Sequence, residues 1–291
     1  MKKAALVLSG GGARGIAHIG VIEELEQQGF TISSVAGTSM GAMVGGVYAL
    51  GKMEEFKQWM LSVDKKLVFK MVDFSFSTQG LVKGDKVLKT MREFISDANI
   101  EDLSIPYTAT ACDLLNEKEV VFRTGSIYNA IRASIAIPVV FTPVSSNKHI
   151  LVDGGVVNNI PVNNVARTEG DTLIVVDVNA HIPPKTLELS KKQSLEKESI
   201  YRKKIEAFQS HLKKRYPVER KEHLSYFNIL DKTIGLMMYQ MAQQSLKNYS
   251  PDLLISISRE TCGTYDFFKA EELIELGRIT VREIFAKGIR N

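Results

Sequence analysis

Ser39 stands between two glycines, in the run Gly37-Thr38-Ser39-Met40-Gly41. The pattern Gly-x-Ser-x-Gly is typical of a sharp turn from a strand into a helix, with the serine hydroxyl held at the apex. Glycines flank such a serine because the turn is strained and a side chain at either position would collide with neighbouring backbone. The run therefore favours an acyl-transfer site in which Ser39 is the nucleophile.

A glycine-rich loop lies upstream of this serine, at positions 10–15. It fits Gly-x-Gly-x-x-Gly, but a dinucleotide site also requires an acidic residue about 20 positions further on. The corresponding stretch, 30–36, contains no carboxylate, which disfavours that interpretation. The alternative is an oxyanion hole built from backbone N–H groups, with Arg14 either adding positive charge or anchoring the loop. Its candidate residues are Gly10, Gly11, Gly12, Ala13, Arg14, Gly15 and Met40.

The 291 residues, 44% of them hydrophobic, are enough to bury a large core. Short apolar runs alternate with amphipathic stretches, which predicts an α/β fold with a largely parallel sheet. We expect a buried strand at 4–8, a helix at 16–28 capped by Gly29, and a buried helix at 40–50 ending at Gly51. Further strands are expected at 107–112, 120–122, 150–152, 173–178 and 253–257, and a closing helix at 270–287.

A serine nucleophile needs a base, and the chain has five histidines. His181 follows a predicted strand and would complete the order Ser, Asp, His, but Pro183 and Pro184 beside it favour a loop residue without a catalytic role. Asp153 ends another predicted strand, and the two glycines after it permit a tight turn that orients the carboxylate. The alternative is an aspartate that bonds only to the backbone of its own turn. The residues alone leave both roles of Asp153 open.

Composition indicates in which cell compartment the protein functions. Cys112 and Cys262 form neither a disulfide framework nor a metal-ligand spacing, which favours a reducing compartment. The apolar run at 4–8 is too short for a signal peptide, and no stretch approaches the roughly 18 apolar residues of a membrane span. We therefore expect a cytoplasmic protein.

The net charge of +4 is unevenly distributed. Between residues 187 and 223 there are 11 Lys and Arg against 6 Asp and Glu. This pattern favours a solvated, helical insertion at about 183–223, and a weaker hypothesis is that it contacts anionic membrane. It lacks the interleaved aromatic residues of a nucleic-acid binder.

An apolar stripe with helical spacing follows the charged segment. It favours a helix packed in the core over an adaptable lipid pocket lined by methionine. Its members are Phe227, Leu230, Ile234, Met237, Met238 and Met241.

Taken together, these motifs resemble those of the patatin-like phospholipase family. The loop at 10–15, the run at 37–41 and Asp153-Gly154-Gly155 occur in the order and spacing of that family. The segment 132–138 resembles its motif between serine and aspartate, and 252–255 resembles its closing strand. The resemblance covers almost the whole chain, with the charged segment least well matched. It is closest to the bacterial cytoplasmic members and to the esterase domain of neuropathy target esterase.

This resemblance implies a three-layer α/β/α fold, a single hydrolase domain over 1–291 and a Ser39–Asp153 dyad without histidine. It implies hydrolysis of fatty-acyl esters in lipids, with no metal or cofactor. An ordinary aspartate titrates near 3.9, so we expect burial to raise the pKa of Asp153 and improve it as a base. Two rivals are a Ser–Asp–His hydrolase of small soluble esters that uses His181, and a non-catalytic lipid-binding regulator.

Overall fold

The computed structural model describes residues 2–65, 67–68, 85–138, 141–185 and 226–288. Eight strands in these ranges form one sheet. They are β1 Lys2–Leu8, β2 Phe30–Thr38, β3 Tyr107–Asp113, β4 Lys118–Phe122, β5 Val144–Ser145, β6 Ile150–Asp153, β7 Thr172–Ala180 and β8 Leu253–Ser258.

The sheet is parallel at its centre and antiparallel at one side. Its order is β5-β6-β3-β2-β1-β7-β8, and β4 also pairs with β3. Strands β3, β2, β1, β7 and β8 are parallel neighbours, which confirms the predicted largely parallel sheet. β4 and β6 run antiparallel to β3. For β4 the reason is that the turn at 114–117 is too short for the crossover that a parallel neighbour needs.

Helices cover both faces of the sheet, as expected of a three-layer α/β/α fold. Side chains of β1 alternate between two cores: Leu6 and Leu8 belong to the larger, and Ala5 and Val7 to the smaller. The helices are α1 Ala17–Gln27, α2 Met40–Ala49, α3 Met53–Ser62, α4 Asp85–Arg92, α5 Ile127–Ser134, α6 Tyr226–Tyr249 and α7 Ala270–Ala286.

The two faces differ in which helices cover them. The larger core contains side chains of α1, α2, α3, α4, α5 and α7. In the smaller core, Ala242 and Leu246 of α6 pack against Ile160 and Val162, just beyond the end of β6. Helix α6 therefore supports the segment that follows Asp153.

Two helices end at the glycines that the sequence predicts. Gly29 after α1 has φ 86° and Gly51 after α2 has φ 67°, the left-handed conformation that suits a glycine at the end of a helix. The expected charged insertion at about 183–223 lies outside the described residues, apart from 183–185.

In the described part of the apolar stripe on α6, one side chain departs from the expected core helix. Met237 has 56% of its surface exposed, and Met238 and Met241 are partly buried. Side chains at 227, 230 and 234 lie outside the described residues. Among the described side chains of α6, Ala242 and Leu246 belong to the smaller core.

Across the ranges described above, no helix is both long and apolar enough to traverse a bilayer. The same residues contain no group of three or more His, Cys, Asp and Glu side chains suited to a metal ion.

Candidate active site

Ser39 forms the turn between β2 and α2, as the glycine pattern predicts. Its φ of 55° and ψ of −125° lie in a region that residues other than glycine seldom adopt. A Cβ on Gly37 would lie 2.4 Å from the carbonyl carbon of Gly41, and one on Gly41 would lie 2.3 Å from the carbonyl oxygen of Leu8. Both flanking positions must therefore be glycine.

Ser134, at the end of α5, holds this turn through a hydrogen bond. The backbone N–H of Ser39 donates to the Ser134 hydroxyl at 2.8 Å, and that hydroxyl donates to the carbonyl of Thr110 at 2.6 Å. Ser134 is completely buried. Because its own N–H is occupied in this way, Ser39 contributes only its hydroxyl to the site. Sequence reasoning missed this role, although Ser134 lies in the 132–138 segment of the family resemblance.

Two N–H groups of the glycine loop hold the loop itself in place. The N–H of Gly10 donates to the carbonyl of Asn159 at 3.1 Å, and that of Ala13 donates to the carbonyl of Thr264 at 2.9 Å. These two members of the candidate oxyanion hole are therefore engaged with the protein.

Three other candidate donors remain available. Within the described part of the chain, the N–H groups of Gly11, Gly12 and Met40 donate no hydrogen bond. Gly12 and Met40 line the same pocket as Ser39. A Cβ on Gly15 would lie 2.6 Å from the Cβ of Met40, so Gly15 lets the loop approach the start of α2.

The side chain of Arg14 anchors the loop, one of the two roles left open by the sequence. Its guanidinium donates to the carbonyl of Cys262 at 3.1 Å and to Oδ1 of Asn179 at 2.9 Å. Asn179, near the end of β7, in turn donates from Nδ2 to the carbonyl of Gly10 at 2.6 Å. Asn179 is a positioning residue that carries no sequence motif of its own.

Asp153 lies at the end of β6 and is 4% exposed. Burial raises the pKa of its carboxyl to about 6, while the nearby Ser39 hydroxyl and the N–H of Gly155 act in the opposite direction. Oδ1 accepts the Gly155 N–H at 2.8 Å. Oδ2 meets no partner at hydrogen-bonding geometry among the described residues, so the contact with Ser39 is looser than a standard hydrogen bond. Such contacts often tighten only when substrate binds.

Asp153 makes the turn contact of one alternative from the sequence and lies beside the serine, as the other alternative requires. The desolvation that we expected from the sequence is present.

An apolar pocket of about 90 Å³ reaches Ser39. It lies between the start of α2, helix α3 and the segment after α5. Its walls include Met43, Trp59, Met60, Val63, Ile135 and Phe267.

Two histidines that could serve as a base have other partners. His18 is buried, its Nε2 bonds to the carbonyl of Ser9 at 2.9 Å, and burial lowers its pKa to about 4. His181 stacks on Tyr239, with ring centroids 3.7 Å apart, and its Nε2 lies 2.7 Å from the guanidinium of Arg259. Neither ring hydrogen-bonds to the serine or the aspartate of the site.

Relatives among known proteins match most or part of this chain. An uncharacterized NTE family protein of Mycobacterium tuberculosis is 34% identical over 95% of this chain and 89% of its own length. Patatin-like phospholipase domain-containing protein 6 of Mus musculus is 33% identical, over 60% of this chain and 13% of its own length.

Among solved structures, the crystal structure of VipD from Legionella pneumophila matches 95% of this chain and 67% of that chain. The identity is 16% and the TM-score is 0.43. The family model described as patatin-like phospholipase matches residues 6–166, a range that contains the glycine loop, Ser39 and Asp153. The chain therefore belongs to the patatin-like phospholipase family.

Proposed function

We propose that this chain hydrolyses fatty-acyl esters of lipids, with Ser39 as the nucleophile and Asp153 as its base. Family membership implies a hydrolase that acts on lipid esters. The observation that carries the finer proposal is the buried carboxyl of Asp153 beside a strained serine at an apolar pocket. Burial of a carboxyl that pairs with no described cation costs stability, which favours a role in function over one in folding.

The proposed reaction begins with acylation of Ser39. Its Oγ attacks the ester carbonyl while Asp153 accepts the hydroxyl proton. The pKa of about 6 leaves the carboxyl ionised at neutral pH and makes it a better base than an ordinary aspartate. Asp153 then returns the proton to the departing alcohol, and water releases the fatty acid in a second step.

Backbone N–H groups are the proposed stabilisers of the oxyanion. Gly11, Gly12 and Met40 carry the free donors in the described part of the loop and the start of α2. Such donors act in a site from which water is excluded, where they can lower a barrier by about 3–4 kcal/mol each. Arg14 acts by anchoring the loop that carries these donors.

The pocket supports a fatty-acyl substrate over a small soluble ester. Its lining side chains other than Ser39 are apolar, and each buried methylene adds about 0.8 kcal/mol of binding free energy. His181 is a poor alternative base because Tyr239 and Arg259 already hold its ring.

Contact with anionic membrane stays a separate proposal. It rests on the basic excess at 187–223, which lies outside the described residues, and the expected location is the cytoplasm, at the inner face of the membrane. Binding to anionic vesicles that persists after deletion of this segment, or in high salt, would remove it.

The main proposal is tested with a panel of lysophospholipids, phospholipids and short-chain esters. Ser39→Ala and Asp153→Asn should abolish hydrolysis of the preferred ester, while His181→Ala should retain it. A fluorophosphonate should label wild-type Ser39 covalently. Failure of the folded protein to react with the probe would favour a lipid-binding regulator, and loss of activity in His181→Ala would favour the triad.

A further inference from the structure

Two adjacent leucines are exposed in the turn at 114–117, which joins β3 to β4 and is called the hairpin tip below. Leu114 has 49% of its surface exposed and Leu115 has 54%. Single exposed apolar side chains are ordinary on a protein surface, but neighbouring ones form a patch of the kind that contacts a partner or a lipid surface.

The hairpin tip is held in a fixed conformation. The buried carboxylate of Asp113 accepts hydrogen bonds from the N–H of Leu115 at 3.1 Å and from Nδ2 of Asn116 at 2.7 Å. The same carboxylate accepts the N–H of Ile150 at 3.3 Å and lies 2.5 Å from Nδ1 of His149. An ordered turn loses little conformational entropy when it docks on a surface, so this tip is suited to binding.

The strand register places the hairpin tip beyond the candidate active site. The last residue of β2, next to Ser39, pairs with Thr110 of β3, and Asp153 pairs with Ala111. Leu114 is three residues further along, which is about 10 Å at the rise of a β-strand. Elements that lie on a bilayer bury their apolar groups about 5–10 Å into the boundary between headgroups and acyl chains. A tip inserted to that depth would hold the Ser39 hydroxyl close to the headgroups, where the ester bonds of phospholipids lie.

Other exposed apolar side chains lie near the site. Ile182 follows the carboxyl end of β7, a strand that runs parallel to β1. Tyr265 follows Thr264, whose carbonyl accepts the N–H of Ala13 in the glycine loop. Both side chains are exposed, so the hairpin tip is not an isolated apolar group on this side of the molecule.

Lysine side chains flank the hairpin tip. Lys118 pairs with Asp113 across the hairpin. Lys148 lies in the neighbouring turn, and its carbonyl accepts a hydrogen bond from Nδ2 of Asn116 at 3.1 Å. Both lysines and Glu117, the acidic residue of the tip, are exposed. Two cations against one anion beside an apolar tip suit a surface that offers hydrocarbon beneath a layer of phosphates.

We propose that Leu114 and Leu115 insert into the surface of a phospholipid bilayer, with Lys118 and Lys148 at the level of the headgroup phosphates. The inference rests on the proposed function, because a lipid ester in a bilayer must come within reach of Ser39. Insertion of the hairpin tip brings the site to the surface that contains its substrate.

The first test measures partition of the Ser39→Ala protein onto phosphatidylcholine vesicles by sedimentation, so that no lipid is consumed. These vesicles carry no net charge, which separates the apolar tip from any attraction of the segment 187–223 to anionic lipid. Leu114→Ser/Leu115→Ser should lower the partition coefficient by about tenfold to a hundredfold, the value of two half-exposed leucines. Tyr249→Ser/Leu254→Ser is the matched control, since both side chains are similarly exposed, at the end of α6 and near the amino end of β8, and its partition should not change.

A second measurement places a fluorophore at the tip. Leu115→Cys labelled with an environment-sensitive dye should shift its emission to the blue on these vesicles, and Leu254→Cys should not. Cys112 and Cys262 are buried, which directs the label to the introduced thiol. In protein with Ser39 intact, Leu114→Ser/Leu115→Ser should lower the ratio of vesicle-ester to soluble-ester hydrolysis by about tenfold or more.

Three results would overturn the proposal. They are unchanged partition of Leu114→Ser/Leu115→Ser, binding confined to anionic vesicles, and a change in oligomeric state by light scattering with partition intact, which would make the tip a contact between copies of this chain. Failure of the proposed function would be seen separately, as wild-type protein without hydrolysis of any ester that depends on Ser39, while partition of Ser39→Ala would still be measured.

Discussion

The N–H of Ser39 and the hydroxyl of Ser134 form a 2.8 Å hydrogen bond that joins the turn of the proposed nucleophile to α5. The same hydroxyl continues to Thr110 on β3 at 2.6 Å. A left-handed serine persists only where its surroundings hold it, because the conformation costs on the order of 1–3 kcal/mol. Ser134 supplies an acceptor for an N–H that neither the strand nor the helix can satisfy.

Replacement of Ser134 by alanine should leave that N–H buried without an acceptor. An unpaired buried donor costs about 1–3 kcal/mol. This cost weakens the turn that holds Ser39 in its strained conformation. We expect kcat/KM to fall by roughly tenfold to a hundredfold, with a matching loss in the rate of fluorophosphonate labelling. Ser33→Ala is the control, because that hydroxyl also donates to a carbonyl, that of Ala4, outside the site. Equal activity of the two variants would contradict the role of Ser134.

The activity of the wild-type protein should depend on the ionisation of Asp153. Burial raises the pKa of its carboxyl to about 6, and only the ionised form accepts the proton of Ser39. We expect kcat/KM for a non-ionising ester to fall as pH decreases through about 6, with a plateau above pH 7. A profile that is flat between about pH 4 and 8 would contradict the assignment of Asp153 as base.

The same carboxyl should reduce stability at neutral pH. Its pKa is about 6 in the folded protein, against an ordinary value of 3.8, so the unfolded chain releases the proton first and the free energy of unfolding falls as pH rises between these values. Asp153→Asn removes this penalty. Its gain in free energy of unfolding should be larger at pH 8 than at pH 4 by about 2 kcal/mol. Denaturant titrations at both pH values measure this, and an equal gain at both would contradict it.

Local sequence rules predict the parts of the site that depend on local backbone geometry. The turn at 37–41 needs two glycines for steric reasons alone, and Gly29 and Gly51 end their helices with positive φ. Asp153 stands out because it ends a strand before two glycines, but this local pattern leaves its role open and only the family resemblance favours a base. The parallel order of the central strands follows from the alternation of strands and helices.

Residues that act through distant contacts were not predictable in this way. Ser134 meets Ser39 across 95 positions of sequence, and Asn179 meets Gly10 across 169. An ordinary serine in a helix or asparagine in a strand carries no local pattern that reports such a partner. The exposed Met237 likewise depends on which part of α6 faces the smaller core, a fact of tertiary packing.

A lysine at position 14 should not replace the anchor that Arg14 forms. Its guanidinium bridges the carbonyl of Cys262 and the side chain of Asn179, and a lysine cannot span both acceptors. We expect Arg14→Lys and Asn179→Ala each to lower kcat by about tenfold or more, since the loop that carries the proposed oxyanion donors loses its support. Arg92→Lys, at an exposed position on α4, is the control for arginine replacement. Full activity in Arg14→Lys would contradict the anchoring role.

The pocket should determine which acyl chains are accepted. Val63 lines it and is 6% exposed, so Val63→Phe would fill space that the acyl chain needs. Each methylene that the larger side chain excludes removes about 0.8 kcal/mol of binding. We expect kcat/KM for an octanoyl ester to fall roughly tenfold, while that for the acetyl ester changes little. Val120→Phe, on β4 and outside the pocket lining, should leave the ratio of the two unchanged. Equal slowing of both esters in Val63→Phe would show that the acyl chain binds elsewhere.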